Sequence, residues 1–168
     1  MNTLSKELDN LNNPALGAII LWRFVAGYET GSGIKAGTPF PLLFIVIPMI
    51  LQPEILDLIK STYRPSGLRM FSSKFSEPSV SKNDIVYSIQ PRAREMENLS
   101  RESLKLAIAT NLVSIDPGTS LLFPVSVAPT SSNISKEIDE MLKQAYKLGF
   151  WCSQVTLHEI SIILKVEF

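Results

Sequence analysis

Asn13-Pro14 followed by ALGAIILWRFVAGYE (residues 15–29) is the stretch that decides the fold. Asparagine ahead of proline reads as a helix start. The Asn13 side chain can accept from the first free N–H groups, and Pro14 lacks only an N–H that has no partner inside the helix. The run behind it is apolar on nearly every side, and such a helix must be surrounded by other elements. The sequence therefore predicts a central helix over residues 14–29, ended by the glycine-bearing loop from Thr30 to Thr38.

Upstream, residues 4–11 read as a turn or two of helix. Downstream, the next apolar stretch is PLLFIVIPMIL, residues 41–51, followed by a second helix that restarts at Pro53 and runs to about 62. The stretch is interrupted by Pro48 and falls well short of the about 20 apolar residues a bilayer span requires. A buried core helix is the better account, and no membrane partner is expected. Leu68 to Phe75 reads as a short strand or a single turn, and Ser76 to Lys82 as a loop. Asp84 to Asn98 allows two readings: one helix kinked at Pro91, or a strand-like IVYSI before a helix that starts there.

Ser100 is a good cap for a helix whose Leu104, Ile108 and Leu112 share one face. LVSID (112–116) and SLLFPV (120–125), joined by Pro117-Gly118-Thr119, then form a hairpin. Leu112 belongs to both readings, so the boundary between helix and strand is open there. After a polar linker at 128–133 comes a helix over 134–151, with Ile134, Ile138, Met141, Leu142, Ala145, Leu148 and Trp151 in one stripe. Thr156 caps a last helix, LHEISIILKV. The expected architecture is a single domain, mainly α with a short β-hairpin. A winged-helix-like part covers 41–127, and helices over 14–29 and 133–166 flank it, packing together or on partners.

Composition limits what this fold can do. A chain of 168 residues suits one domain with a real core, and 45% hydrophobic residues against 19% charged ones argues against disorder. Mean hydropathy of +0.17 leaves apolar surface to place against another protein. One cysteine, Cys152, allows no internal disulfide, and the polar start with Glu7 and Asp9 is unlike a signal peptide, so a cytoplasmic location is expected. Net charge is zero but unevenly spread. Residues 60–105 hold nine basic and five acidic side chains, a net +4, while each flank is −2. That is weak against the strongly basic balance of nucleic-acid domains.

No motif carries an enzyme's chemistry. His158 and Cys152 are six positions apart, and no second histidine or cysteine exists to complete a zinc site or a nucleophile arrangement. Gly31, Gly33, Lys35 and Gly37 lack the phosphate-loop spacing and read as a flexible loop. Asp139-Glu140 and Glu95 with Glu97 sit in charged helical surroundings and read as solvated faces. No catalytic residue, metal or cofactor is expected.

The residues that stand out are binding candidates. Arg23 lies inside the apolar helix beside Trp22, so something must meet its charge: Glu29 or a partner's carboxylate. Trp22 and Trp151 are the two largest apolar groups, and tryptophan is enriched at interface hot spots although it is more often core. With Tyr28 and Ile160 they make the candidate partner surface. Arg92, Arg94 and Arg101 flank the helix before the hairpin and could touch phosphates, although a charged outer face is the commoner reason for such a cluster.

Three stretches resemble a known family: Asn13 to Phe24 (NPALGAIILWRF), Lys147 to Cys152 (KLGFWC), and Thr156 to Val166 (TLHEISIILKV). They are similar to the small middle components of bacterial three-component ABC systems, among them the Lamassu-type anti-phage defence systems. Arg92 to Ile115 resembles that family's helix leading into a short hairpin. The resemblance implies a non-catalytic subunit without cofactors in a hetero-oligomer. Its partners would be an ABC ATPase like those of structural maintenance of chromosomes (SMC-like), which recognises DNA, and an effector, often a nuclease. The middle component would bridge or restrain them. A stand-alone winged-helix DNA-binding regulator is the alternative.

Overall fold

The computed structural model describes residues 12–33, 35–76, 83–126 and 133–168; the helix expected over 4–11 and most of the linker expected at 128–133 lie outside them. Nine α-helices and a small sheet are seen among the described residues. Helix α1 (Pro14–Ser32) is the axle. The Asn13 side chain accepts from the N–H groups of Ala15 at 2.9 Å and Leu16 at 3.4 Å, as its position ahead of Pro14 predicts. Gly33 ends the helix with φ +65°, a left-handed conformation that costs other residues steric strain. Ten of the 19 residues of α1 are buried, which fits its nearly all-round apolar sequence.

Two helices from later in the sequence hold α1: α7 (Glu97–Ala109) and α8 (Lys136–Cys152). The α1–α8 crossing is close because each helix offers a glycine to the other. A methyl group on Gly27 would lie 2.0 Å from the carbonyl oxygen of Tyr146, and one on Gly149 would lie 2.0 Å from that of Phe24. Gly17 makes the corresponding approach to α7, against the Ser103 side chain.

Between these layers run α2 (Leu43–Ile50) and α3 (Pro53–Ser61), preceded by a single 3-10 turn at Phe40–Leu42. Pro53 restarts the chain as expected, and α2 is buried along seven of its eight residues despite Pro48. Among the described residues no single helix is long and apolar enough to cross a membrane; Phe40–Ile50 and Pro53–Ser61 together would be, but they are bent by 100°.

Leu68 to Phe75 is neither strand nor isolated turn. It forms α4 (Gly67–Ser73) and the 3-10 turn Lys74–Ser76, because Leu68, Phe71 and Phe75 follow helical spacing into the core. The segment around Pro91 resolves as α5 (Asn83–Tyr87) and α6 (Ile89–Glu95), with Pro91 in the first turn of α6, where its missing N–H is tolerated. Ser100 is not a cap. Helix α7 begins three residues earlier, and the Ser100 hydroxyl is buried without a hydrogen-bond partner among the described residues.

The hairpin comprises β2 (Val113–Asp116) and β3 (Leu121–Pro124), so Leu112 lies just outside both helix and strand. Asp116 organises the turn: its carboxylate accepts from the Gly118 N–H at 3.0 Å and the Thr119 hydroxyl at 2.8 Å. Ser120, not Gly118, takes the positive φ. A third strand, β1 (Thr38–Pro39), begins at the last residue of the stretch expected to be loop. It pairs antiparallel with β3, Thr38 opposite Leu122, giving the sheet order β1-β3-β2. Last comes α9 (Leu157–Leu164), whose start is a complete capping box: Thr156 and Glu159 exchange side-chain-to-backbone hydrogen bonds.

Candidate functional site

The α1–α8 crossing brings Arg23 beside residues more than a hundred positions away. Its guanidinium carbon lies 5.5 Å from the centre of the Trp22 ring and 4.8 Å from that of Tyr146. Arg64, on the 3-10 turn Arg64–Ser66 after α3, continues the row at 5.8 Å from Tyr146 and 4.1 Å from Phe150. The result is an alternation of ring and cation: Trp22, Arg23, Tyr146, Arg64, Phe150. Tyr146 and Phe150 are one helical turn apart on α8, which puts both rings on the same face.

Neither guanidinium makes a hydrogen bond or an ion pair with any described residue. The carboxylate of Glu29, the expected partner, does not meet Arg23. The half-burial of Arg23 pushes its pKa down by desolvation, opposed by Tyr146 and Asp139. Asp139 itself is paired with Lys143 at 2.7 Å. Attraction to an aromatic face is worth roughly 0.5–2 kcal/mol, growing with desolvation, and it leaves the N–H groups of a guanidinium available at the ring edges.

The large apolar candidates serve the inside of the chain. The Trp22 indole N–H donates to the Ser126 carbonyl at 2.8 Å, and that of Trp151 donates to the Arg64 carbonyl at 2.7 Å. Trp151 is fully buried and packs on Phe71, with ring centres 5.7 Å apart. Ile160 is buried too. Of the five candidate partner-surface residues, only Arg23 and Tyr28 keep substantial exposed surface; burial pushes the Tyr28 phenol pKa up. Lys147, with its ammonium 5.7 Å from the Trp151 ring, donates to the carbonyls of Ile59 and Thr62 at 3.0 and 3.1 Å and so closes the end of α3.

The three candidate phosphate-contacting arginines are differently placed. Arg92 is half-buried on α6. Arg101 pairs with Glu97 one turn back on α7, and Arg94 lies 3.9 Å from Glu167. Arg94 and Arg101 rim a groove of about 340 Å³ floored by Phe40, Phe44 and Ala93, into which Phe168 also faces. Elsewhere, His158 is exposed on α9 while Cys152 is fully buried, its thiol pKa pushed up to about 12. Among the described residues no three His, Cys, Asp or Glu side chains gather in a way that could hold a metal ion. Lys35 is exposed on its loop.

Arg64, Tyr146 and Phe150 were not among the residues singled out from sequence. The i, i+4 spacing of the two rings was visible; their convergence with Arg64, some eighty positions away, was not.

Fold and surface define a mainly α-helical protein with a small antiparallel sheet and arginine side chains laid across aromatic rings. The chain matches, over residues 1–168, the family model described as ABC-three component (ABC-3C) system Middle Component 3, and it belongs to that family. It is thus a component of a three-part ABC system. No curated protein and no solved structure matches it.

Proposed function

We propose that the protein is a cytoplasmic, non-catalytic subunit that bridges an SMC-like ABC ATPase sensing DNA and an effector, often a nuclease, and restrains that effector, as in Lamassu-type anti-phage defence. The observation that carries this reading is the apolar surface left over once the core is filled. Tyr63, Tyr87, Met70, Ile162 and Val125 each keep more than half of their surface in solvent around a core that already contains both tryptophans. Tyrosine and methionine are among the side chains enriched in the contact surfaces of protein complexes. The groove beneath Arg94 and Arg101 adds a concave patch of the same character.

The alternative, a winged-helix DNA-binding regulator, draws on the element order. A strand pairs with the far side of the β2–β3 hairpin, and α7 directly precedes that hairpin. Against it, Arg101 and Lys105 on α7 are each paired with a glutamate of the same helix, and the whole chain is neutral.

Affinity purification of the tagged chain, co-expressed with its neighbouring genes, tests the proposal. Recovery of an ATPase and an effector in one stable assembly is expected. A chain recovered alone, as monomer or dimer, would overturn it and leave DNA binding as the next reading to measure.

A further inference from the structure

We infer that the row Trp22–Arg23–Tyr146–Arg64–Phe150 is a docking surface for a carboxylate-rich segment of a partner protein. The inference rests on the bridging reading and gives it a contact chemistry. Charge complementarity carries it. Arg23 and Arg64 each lie within 6 Å of two ring centres, yet neither meets an acceptor among the described residues. The nearest acidic groups are already engaged: Asp139 with Lys143, and Glu140 with Gln144 and, at 4.0 Å, Lys60. Further positive charge stands close by. Lys147 and Lys74 donate only to oxygens at the end of α3, the Ile59 and Thr62 carbonyls for one and the Ser61 carbonyl and hydroxyl for the other. Four cations therefore stand at this patch with no carboxylate in ion-pair contact with any of them among the described residues, although Asp139 and Glu140 act on Arg23 and Lys147 from farther away.

The stacking decides what kind of anion fits. A guanidinium drawn to neighbouring rings has less rotational freedom than a free one, and its N–H fork matches a carboxylate through two parallel hydrogen bonds. Ordering such a side chain in advance removes part of the entropic cost of binding. Arginine, tyrosine and tryptophan together are also the composition of protein–protein hot spots. Duplex DNA is the less suitable occupant. Its affinity comes from many solvent-facing cations laid along a phosphate track, whereas this row has one exposed arginine, one half-buried arginine and a neutral protein behind them.

The test uses the full chain co-purified with its partners. Replacing Phe150 with the photo-crosslinking residue p-benzoylphenylalanine keeps a ring in place. Irradiation of the intact assembly should yield a crosslink to a partner segment rich in aspartate and glutamate. Arg64→Glu, at an exposed position, should weaken retention of that partner tenfold or more while lowering the thermal midpoint of the isolated chain by only a few degrees, about what the lost ring contacts account for. Arginine placed at the crosslinked acidic position of the partner should restore retention. Crosslinking to nucleic acid, or to a partner segment without acidic residues, would overturn the inference while the bridging role stands. An assembly that forms and tolerates Arg64→Glu at high and low salt would overturn it as well. If no assembly forms at all, the bridging reading falls, and this inference falls with it.

Discussion

The Trp151 indole N–H donates to the carbonyl oxygen of Arg64 across 2.7 Å, so a fully buried ring holds the backbone of an exposed, ring-stacked arginine. Core and surface are joined at this bond. Trp151→Phe keeps most of the packing and removes the donor. It should cost about 1–2 kcal/mol in urea unfolding. Trp151→Ala should cost roughly 3–5 kcal/mol, since it also opens a cavity beside Phe71. A loss below about 0.5 kcal/mol for the phenylalanine variant would mean that water replaces the bond without penalty.

Gly27→Ala and Gly149→Ala should each destabilise the protein by at least 1–3 kcal/mol, roughly the range for overpacking. In both cases the new methyl group meets a carbonyl oxygen of the facing helix, which cannot rotate aside as a side chain would. Gly33→Ala is the informative comparison, because it has open space but φ +65°, and should cost only about 1–2 kcal/mol of backbone strain. Thermal melts of the three variants check the order. Equal midpoints would contradict the close α1–α8 contact.

Acid should loosen α9. The Thr156 backbone N–H, then the Arg69 side chain and the Thr156 hydroxyl, hold the Glu159 pKa below the ordinary carboxylate value. In the unfolded chain Glu159 titrates at its usual value of about 4.3. Between the two values the unfolded state binds a proton that the folded state does not. The contribution is therefore complete above the unfolded value and disappears as pH falls through the folded one. Urea midpoints of the parent and of Glu159→Gln should differ at neutral pH and converge in acid. A gap that persists in acid strong enough to protonate Glu159 in both states would assign the effect to shape rather than charge.

Cys152 should be inert to thiol reagents in the folded protein. It has no exposed surface, and its burial raises the thiol pKa to about 12, so almost no thiolate exists at neutral pH. Labelling with a disulfide reagent should proceed only as fast as the chain opens and should accelerate with urea. Rapid, complete labelling without denaturant would show that the end of α8 is open.

What the sequence made legible was local. Asn13 with Pro14, Pro53, and Thr156 each mark a helix start through groups close in sequence, and all three starts are found. Ser100 misled because the helices around it follow one another almost without a gap, divided at Ser88 and Met96 where no side chain caps the next start. Strand β1 could not be read from two residues at the end of a glycine-bearing loop; pairing with Leu121 and Leu122 defines it. Arg23 is the sharpest case. Its anomaly beside Trp22 was visible within α1, but Glu29 was the only charge partner the local sequence offered, and the second ring and the neighbouring cation come from α8 and the turn after α3.

The crossing of α1 with α8 also fixes when the protein can first exist. Thr30 and Tyr146, which share a hydrogen bond there, are 116 residues apart. At a synthesis rate of about 5–20 residues per second, the apolar helix leaves the ribosome roughly 6–23 s before its partner does. Through that interval the face of α1 that α8 will cover has no home in its own chain. A chain built around such a pair is born adhesive, and the pace of its own synthesis becomes part of how it finds its shape.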